Sequence, residues 1–447
     1  MAIIAKKLIP NIPAFRSRNY RLFFAGQGLS LIGSWMTQVA SIWLVYQLST
    51  SPWLLGIVGF ASQVPSVVFL PIAGVFVERW NRHRVIIATQ ILSMIQSLVL
   101  AVLTLTGGIN IWQLIVLSLF QGTVNAFDAP ARQAFVSEIV DKREDLANAI
   151  ALNSAMFNGA RLIGPAIAGI ILATLGAGYC FLIDGLSYIA VILALLAMKL
   201  KPHVVASNIQ GNSLQRLKEG FVYAFSFPPI RAIILLLALI SFMGMQYTVL
   251  APIFATKILN GGPDALGFLM AASGVGALVG AVYLSMRKTV VGLGKIIAYY
   301  PTILGLGLVA FGLSRVLWFS LLMMFVIGLG FILQFASSNT LLQTIVEDDK
   351  RARVLSIYTL AFFGVIPFGN LFAGGLASYI GAPNTVIISG IFCSAPASPN
   401  SAAISSNACA NEARFIPLRS RRFLRSEALR QSMLARRRRY CCPRHRG

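Results

Sequence analysis

Uninterrupted apolar stretches dominate this 447-residue chain. About 20 such residues form a helix that crosses the roughly 30 Å hydrocarbon core of a bilayer, where only helices or closed barrels satisfy every backbone group. Eleven complete stretches can be read, at 22–48, 54–77, 85–106, 111–127, 146–175, 179–198, 230–254, 265–286, 296–313, 316–337 and 354–380. A twelfth begins at Thr385 and ends at Cys393, where Ser394, Ala395 and Pro396 break the apolar run. Nine residues rise only about 14 Å, so this helix is expected to be truncated. With 57% hydrophobic and 11% charged residues, against roughly 45–50% and about 25% in soluble domains, the chain reads as an all-α, multi-pass integral membrane protein.

Charge orients the spans. Lys6, Lys7, Arg16, Arg18 and Arg21 precede the first stretch, which is too long for the apolar region of a cleavable signal. Alternate loops carry 21 Lys and Arg on the side of the N-terminus, but only Lys257 and Arg315 on the other. The positive-inside rule therefore places the N-terminus in the cytoplasm. Of the net charge of +23, +10 lies in residues 394–447, which hold 12 Arg, no Lys, and the acids Glu412 and Glu427. Such a segment does not bury enough apolar surface to pack. The abrupt change of composition points to a change of reading frame near codon 394; a basic tail for anionic lipid or nucleic acid is the rival reading. No nucleic-acid partner is expected for the membrane part.

Two regions repeat at a spacing of about 205 residues. Phe157-Asn-Gly159-Ala-Arg-Leu-Ile-Gly164-Pro-Ala-Ile-Ala168-Gly169 matches Phe362-Phe-Gly364-Val-Ile-Pro-Phe-Gly369-Asn-Leu-Phe-Ala373-Gly374. Likewise Leu55-Gly56 before Ser62 resembles Leu266-Gly267 before Ser273. Six helices separate each pair, so the repeat is parallel, with its axis along the membrane normal. The expected organisation is a six-helix half at 1–198, a cytoplasmic linker with an amphipathic helix at 199–229, a second half at 230–393, and the tail at 394–447. Two such halves around a midplane site suit alternating access.

Polar groups inside the spans are functional candidates, because a charge there is costly. Arg161 and Asp184 qualify by depth. Asp184 either titrates as a proton carrier or forms one half of a fixed pair with Arg161. The first span carries Gln27, Ser30, Ser34, Thr37, Gln38 and Ser41 at helical spacing, a stripe that faces protein or a cavity. Enzyme chemistry has no visible basis. There is no GxxxxGK[ST] loop, no CxxC among the five cysteines, and no metal spacing among His83, His203 and His445. No cofactor and no metal are expected.

The loop after the second span reads Gly74-Val-Phe-Val-Glu78-Arg79-Trp80-Asn81-Arg82-His83-Arg84. It resembles the major facilitator superfamily signature GxxxDRxGRR, with Glu78 for Asp and Asn81 for the second Gly. The resemblance implies a gate at the cytoplasmic edge built from Gly74, Glu78, Arg79, Arg82, Asp128 and Arg132. In it Glu78 faces the start of the eleventh helix and Arg82 pairs with Asp128. Phe127-Asp-Ala-Pro-Ala-Arg132-Gln133, Leu341-Leu-Gln-Thr-Ile and Tyr358-Thr-Leu-Ala-Phe-Phe-Gly364 are similar to the drug and siderophore efflux branch that includes the enterobactin exporter. Gly164, Pro165 and Gly169 resemble the antiporter motif. The arginine expected on the fourth helix of proton-coupled members is Ser118 here. Helices 1, 4, 7 and 10 line the cavity in this superfamily, which implies Gln38, Gln121, Asn125, Gln246, Tyr247 and Gln334 as solute contacts, with helix–helix hydrogen bonds as their alternative role. The resemblance covers residues 14–393. It implies a monomeric twelve-helix secondary transporter of a bacterial cytoplasmic membrane, exporting a small organic solute of drug or siderophore type in exchange for protons. Uptake by the same fold, or a non-transporting receptor, is the alternative.

Overall fold

The computed structural model of the protein describes residues 13–200, 221–287, 289, 292–347 and 350–395. Gly74, Glu78 and Arg79 are described only as part of a helix backbone. Residues 201–220 of the predicted linker and the arginine-rich tail beyond residue 395 lie outside the described residues; the end of the linker, 221–226, is helical, and the Lys350 ammonium lies 4.6 Å from the Tyr223 ring centre.

Among the described residues twelve helical segments follow one another as candidate passes. They are α1 (Arg18–Leu48), α2 (Pro52–Arg79), α3 (Arg82–Leu105), α4 (Ile111–Ile139), α5 (Leu146–Thr174), α6 (Ala177–Leu196), α7 (Pro228–Gly244, resuming as Tyr247–Ile253 and the π turn Phe254–Ile258), α8 (Pro263–Met286), α9 (Leu293–Leu313), α10 (Leu317–Ile345), α11 (Arg351–Phe363 and Ile366–Ile380) and α12 (Ala382–Ser394). Among the described residues ten of these are both long and apolar enough to cross a membrane, against eleven expected. The exception among the long ones is α4, whose 29 residues include Gln113, Gln121, Asn125 and Asp128. α4 also continues past Phe127, through Pro130, to Ile139, because a helix keeps its backbone bonds after its apolar stretch has ended. α12 begins earlier than expected, directly after Gly381, whose φ of 85° is open to glycine. Its 13 residues still rise only about 20 Å.

Local signals fix several ends. Ser17 caps α1 by accepting from the Tyr20 amide, and Asn110 with Gln113 forms a reciprocal capping box on α4. Pro sits in the first turn of α2, α7, α8 and α12, where its missing N–H costs nothing.

Small residues then let the helices close on one another. α1 packs on α5 and α6, α2 on α4, and α3 on α4 and α6; α8 packs on α10, and α9 on α10 and α12. Two seams join these groups, α5 with α8 and α2 with α11. A Cβ on Gly267 would stand 2.5 Å from the Gly169 Cα and 2.7 Å from the Pro165 carbonyl oxygen. A Cβ on Gly374 would stand 2.7 Å from both the Gly56 Cα and the Pro52 carbonyl oxygen. Four of the glycines in the internal repeat thus meet across the seams, Gly169 with Gly267 and Gly56 with Gly374.

Candidate functional site

The seam contacts lie toward one end of the molecule, the end of the short loops around Ser49, Gly176, Gly262 and Gly381. On the α2–α11 side the Asn370 amide donates to the Gly59 carbonyl at 3.3 Å, and the rings of Phe60 and Phe368 meet at 5.7 Å. Between α1 and α7 the Thr256 hydroxyl donates to the Tyr46 hydroxyl oxygen at 2.6 Å. Toward the other end, which carries the N-terminus, the first piece of α11 has α7 and α10 as its main neighbours. There α4 and α5 expose Asn125, Ala129, Gln133, Ile150, Ala151 and Ser154. A cleft between the groups is therefore open toward the N-terminal end and shut at the short-loop end.

Only part of the expected solute lining faces this cleft. Gln38 and Asn125 are exposed in mid-helix, and Gln121 is half-buried. Gln121 donates to Ser93 and to Asn125, both at 3.1 Å. Gln246, Tyr247 and Gln334 are 1%, 2% and 1% exposed and lie inside the second group of helices. Gln246 donates to the Phe242 carbonyl at 3.0 Å and accepts from Ser389 of α12 at 2.6 Å. The Tyr247 and Ser273 hydroxyls lie 2.9 Å apart, and Gln334 donates to Ser338 at 3.3 Å. Gln246 and Tyr247 thus bond between helices and Gln334 bonds within α10, and all three are buried away from the cleft.

The two most deeply buried carboxylates, Asp184 and Asp128, are linked by α3. Asp184, 1% exposed, accepts from Thr37 of α1 at 2.8 Å and from Ser97 of α3 at 2.7 Å. Its other carboxylate oxygen has no partner and points at α1, where a Cβ on Gly33 would stand 2.6 Å away. Asp128 accepts from Thr89 at 2.8 Å and Gln90 at 2.9 Å, both on α3, and forms an ion pair with Arg132 one turn along α4. Thr89, Gln90, Ser93, Gln96 and Ser97 are all buried. Their three- and four-residue spacing forms a polar stripe on α3 that could have been read from the sequence and was missed there.

Two expected pairings are corrected. Arg82 does not meet Asp128; it donates to Glu138 at 2.5 Å. Arg82 opens α3 at the edge of the molecule, while Asp128 lies opposite Thr89 and Gln90, two turns further in. Glu138, near the end of α4, is level with Arg82. Nor does Arg161 pair with Asp184. Ser34 and Thr37 turn one side of α1 toward α6, whereas Trp35 turns another toward α5. The Arg161 guanidinium lies 5.8 Å from the Trp35 ring centre, with α1 between it and Asp184.

Two of the antiporter-like residues, Gly164 and Gly169, stand at close helix contacts. A Cβ on Gly164 would meet the Trp35 Cβ at 2.5 Å and the Ile32 carbonyl oxygen at 2.9 Å. Pro165 stays within the unbroken α5, and Gly169 forms the α8 seam. Among the described residues no group of three or more His, Cys, Asp or Glu could hold a metal ion.

Residues 10–407 match the sequence profile of a family described as transmembrane secretion effectors. The chain is 28% identical over 376 residues to the staphyloferrin A transporter of Staphylococcus aureus (strain NCTC 8325 / PS 47), a match covering 83% of this chain and 92% of the relative. To the multidrug efflux pump Tap of Mycolicibacterium fortuitum it is 27% identical over 370 residues, covering 79% and 88%. Its fold superposes with a TM-score of 0.65 on a bacterial homologue of the human lysosomal transporter Spinster, crystallised in an inward-facing, unoccupied conformation. Identity there is 15%, over 86% of this chain and 96% of the other.

Proposed function

From the premise that the chain belongs to the transmembrane secretion effector family of the major facilitator superfamily, we propose that it exports an organic solute of drug or siderophore type in exchange for protons. The family is one of membrane transporters and not of enzymes. The observation that carries the mechanism is the one-sided cleft: the two helix groups meet along glycine seams at the short-loop end and part toward the N-terminal end. Rocking about those seams would close the open end and open the shut one, which is alternating access. Uncharged amides at Gln38, Gln121 and Asn125 in an apolar wall suit a bulky amphipathic solute better than a small ion. Relatives named as a siderophore transporter and as a multidrug pump support that class.

In this reading the N-terminus is cytoplasmic, the membrane is the bacterial inner membrane, the protein works as a monomer, and the described cleft faces the cytoplasm. Asp184 is the proton-exchanging group. It is the one deeply placed carboxylate free of a guanidinium partner among the described residues, and it has an oxygen to spare. Asp128, neutralised by Arg132, is structural. Arg82 with Glu138 tethers the start of α3 to the end of α4, beside the segment of Gly74, Glu78 and Arg79.

Everted membrane vesicles test the direction. With an imposed proton gradient, acid inside, a drug or siderophore substrate is expected to accumulate within them. Depletion from everted vesicles, with accumulation in right-side-out ones, would mean uptake. Absence of gradient-driven flux across a broad solute panel would mean that the chain does not transport.

A further inference from the structure

The position of Arg161 on α5 is informative about what enters the cleft. α5 meets α1 on one side, through Gly164, and α8 on another, where a Cβ on Gly274 would stand 2.9 Å from the Leu162 Cα and 3.1 Å from the Arg161 carbonyl oxygen. Helical periodicity puts Ile150, Ser154, Phe157, Arg161, Pro165 and Ala168 on the face between those two contacts. Beyond Arg161 this face is covered, with Pro165 buried and Ala168 0% exposed. Before it the face is open, with Ile150 54% and Phe157 47% exposed. Arg161 marks the apex of the cleft, the level at which the two helix groups first touch.

Its charge is not compensated there. Asp128, Glu138, Glu144 and Glu347 pair with other cations, and Asp184 is engaged by Thr37 and Ser97 on the far side of α1. Among the described residues no carboxylate reaches the Arg161 guanidinium. The indole of Trp35 lies 5.8 Å from it, and Phe157 packs edge-on to Trp35 at 5.7 Å. A ring face offsets roughly 0.5–2 kcal/mol of such a charge, less than its placement inside a membrane costs. A guanidinium with a free fork of donors beside an aromatic wall is built to take a planar oxyanion.

We infer that Arg161 and Trp35 form the anion-recognition end of the cleft, and that the transported solute presents a carboxylate to Arg161 while its flat apolar body lies along Trp35 and Phe157. This inference rests on the transporter reading above and narrows it from amphipathic solutes in general to amphipathic acids. It also gives Arg161 a role in binding and leaves proton exchange to Asp184.

The test is equilibrium binding to the purified full-length protein in detergent, by titration calorimetry, with 2-naphthoate and its uncharged methyl ester as probes. Wild type is expected to bind the acid more tightly than the ester. In Arg161→Gln the acid should weaken about ten- to a hundredfold, the scale of one charged hydrogen-bonded contact, with ester binding unchanged. Arg161→Lys should fall between, since it keeps the charge and loses the fork. Trp35→Phe should weaken acid and ester alike. Thermal melting of each variant guards against misfolding; if Arg161→Gln fails to fold, the Lys variant carries the test. An acid-to-ester preference that survives loss of the guanidinium, or no binding of either probe, overturns the inference. The transport reading falls separately: charge-dependent binding without gradient-driven flux would leave the site standing and remove the transporter.

Discussion

Asp184 gives one carboxylate oxygen to two hydroxyls and turns the other, unpartnered, toward the backbone of α1 at Gly33. An unsatisfied buried acceptor costs about 1–3 kcal/mol, and a proton on that oxygen removes the charge without disturbing either hydroxyl. Asp184→Asn keeps the shape and the acceptor for Thr37 and Ser97 while abolishing titration. Solute exchange down its own gradient should therefore persist in this variant, while flux driven by an imposed pH gradient should disappear. Gradient-driven flux equal to wild type would take the proton role away from Asp184. Gly33→Ala probes the same contact sterically. Its Cβ would fall 2.6 Å from the carboxylate oxygen and 3.0 Å from the Asp184 Cα, so α6 must shift. The expected cost is that of overpacking, about 1–3 kcal/mol, seen as a lowered melting temperature in detergent.

The elements differ in how much of their behaviour could be read along the chain. The seam glycines were visible because a close helix approach leaves a local mark, a small residue at fixed spacing, in both halves of the repeat. Seam function is also the easiest to test. Gly267→Ala would drive a Cβ into the backbone of α5 at 2.5 Å and should lower both melting temperature and transport. Gly159→Ala, on the α5 face with nothing within 4 Å of its Cβ, should lower neither, since Ala favours a helix over Gly; an equal loss in the two variants would mean that the seam contact is not what is being measured. Side-chain partners were less legible. Asp128 lies within a span's reach of both Arg82 and Arg132, and the choice depends on how α3 is rotated, which brings Thr89 and Gln90 to the carboxylate. The polar stripe of α3 escaped notice because Ile and Leu residues separate its members, although the spacing was there to be counted. The break in α7 at Met245 and Gln246 falls where no proline announces it. Gln246 was placed in the cleft on a superfamily resemblance that gives helix order but not helix rotation; its actual rotation brings it to Ser389.

At the scale of the whole molecule, the question is what holds the short-loop end shut. The glycine seams supply close packing, which is indifferent to small rotations about the seam axis. Directional contacts across the same end resist such a rotation. Among the described residues two are hydrogen bonds, Asn370 to the Gly59 carbonyl and Thr256 to the Tyr46 hydroxyl. The Thr256–Tyr46 bond at 2.6 Å joins α1 to the π turn of α7 at the shut, short-loop end. A hydrogen bond between neutral groups contributes about 1 kcal/mol, so Tyr46→Phe should shift the balance between cleft-open and cleft-shut states by roughly fivefold. Thr256→Val should do the same, and the double variant should add nothing further, since one bond is lost either way. A cysteine introduced at the exposed Asn125 reports the population. Its labelling by a membrane-impermeant maleimide, applied from the side of the N-terminus, should slow in both single variants. If the labelling rate is unchanged, this bond does not set the balance, and the Asn370–Gly59 contact with the glycine seams is sufficient to hold that end closed.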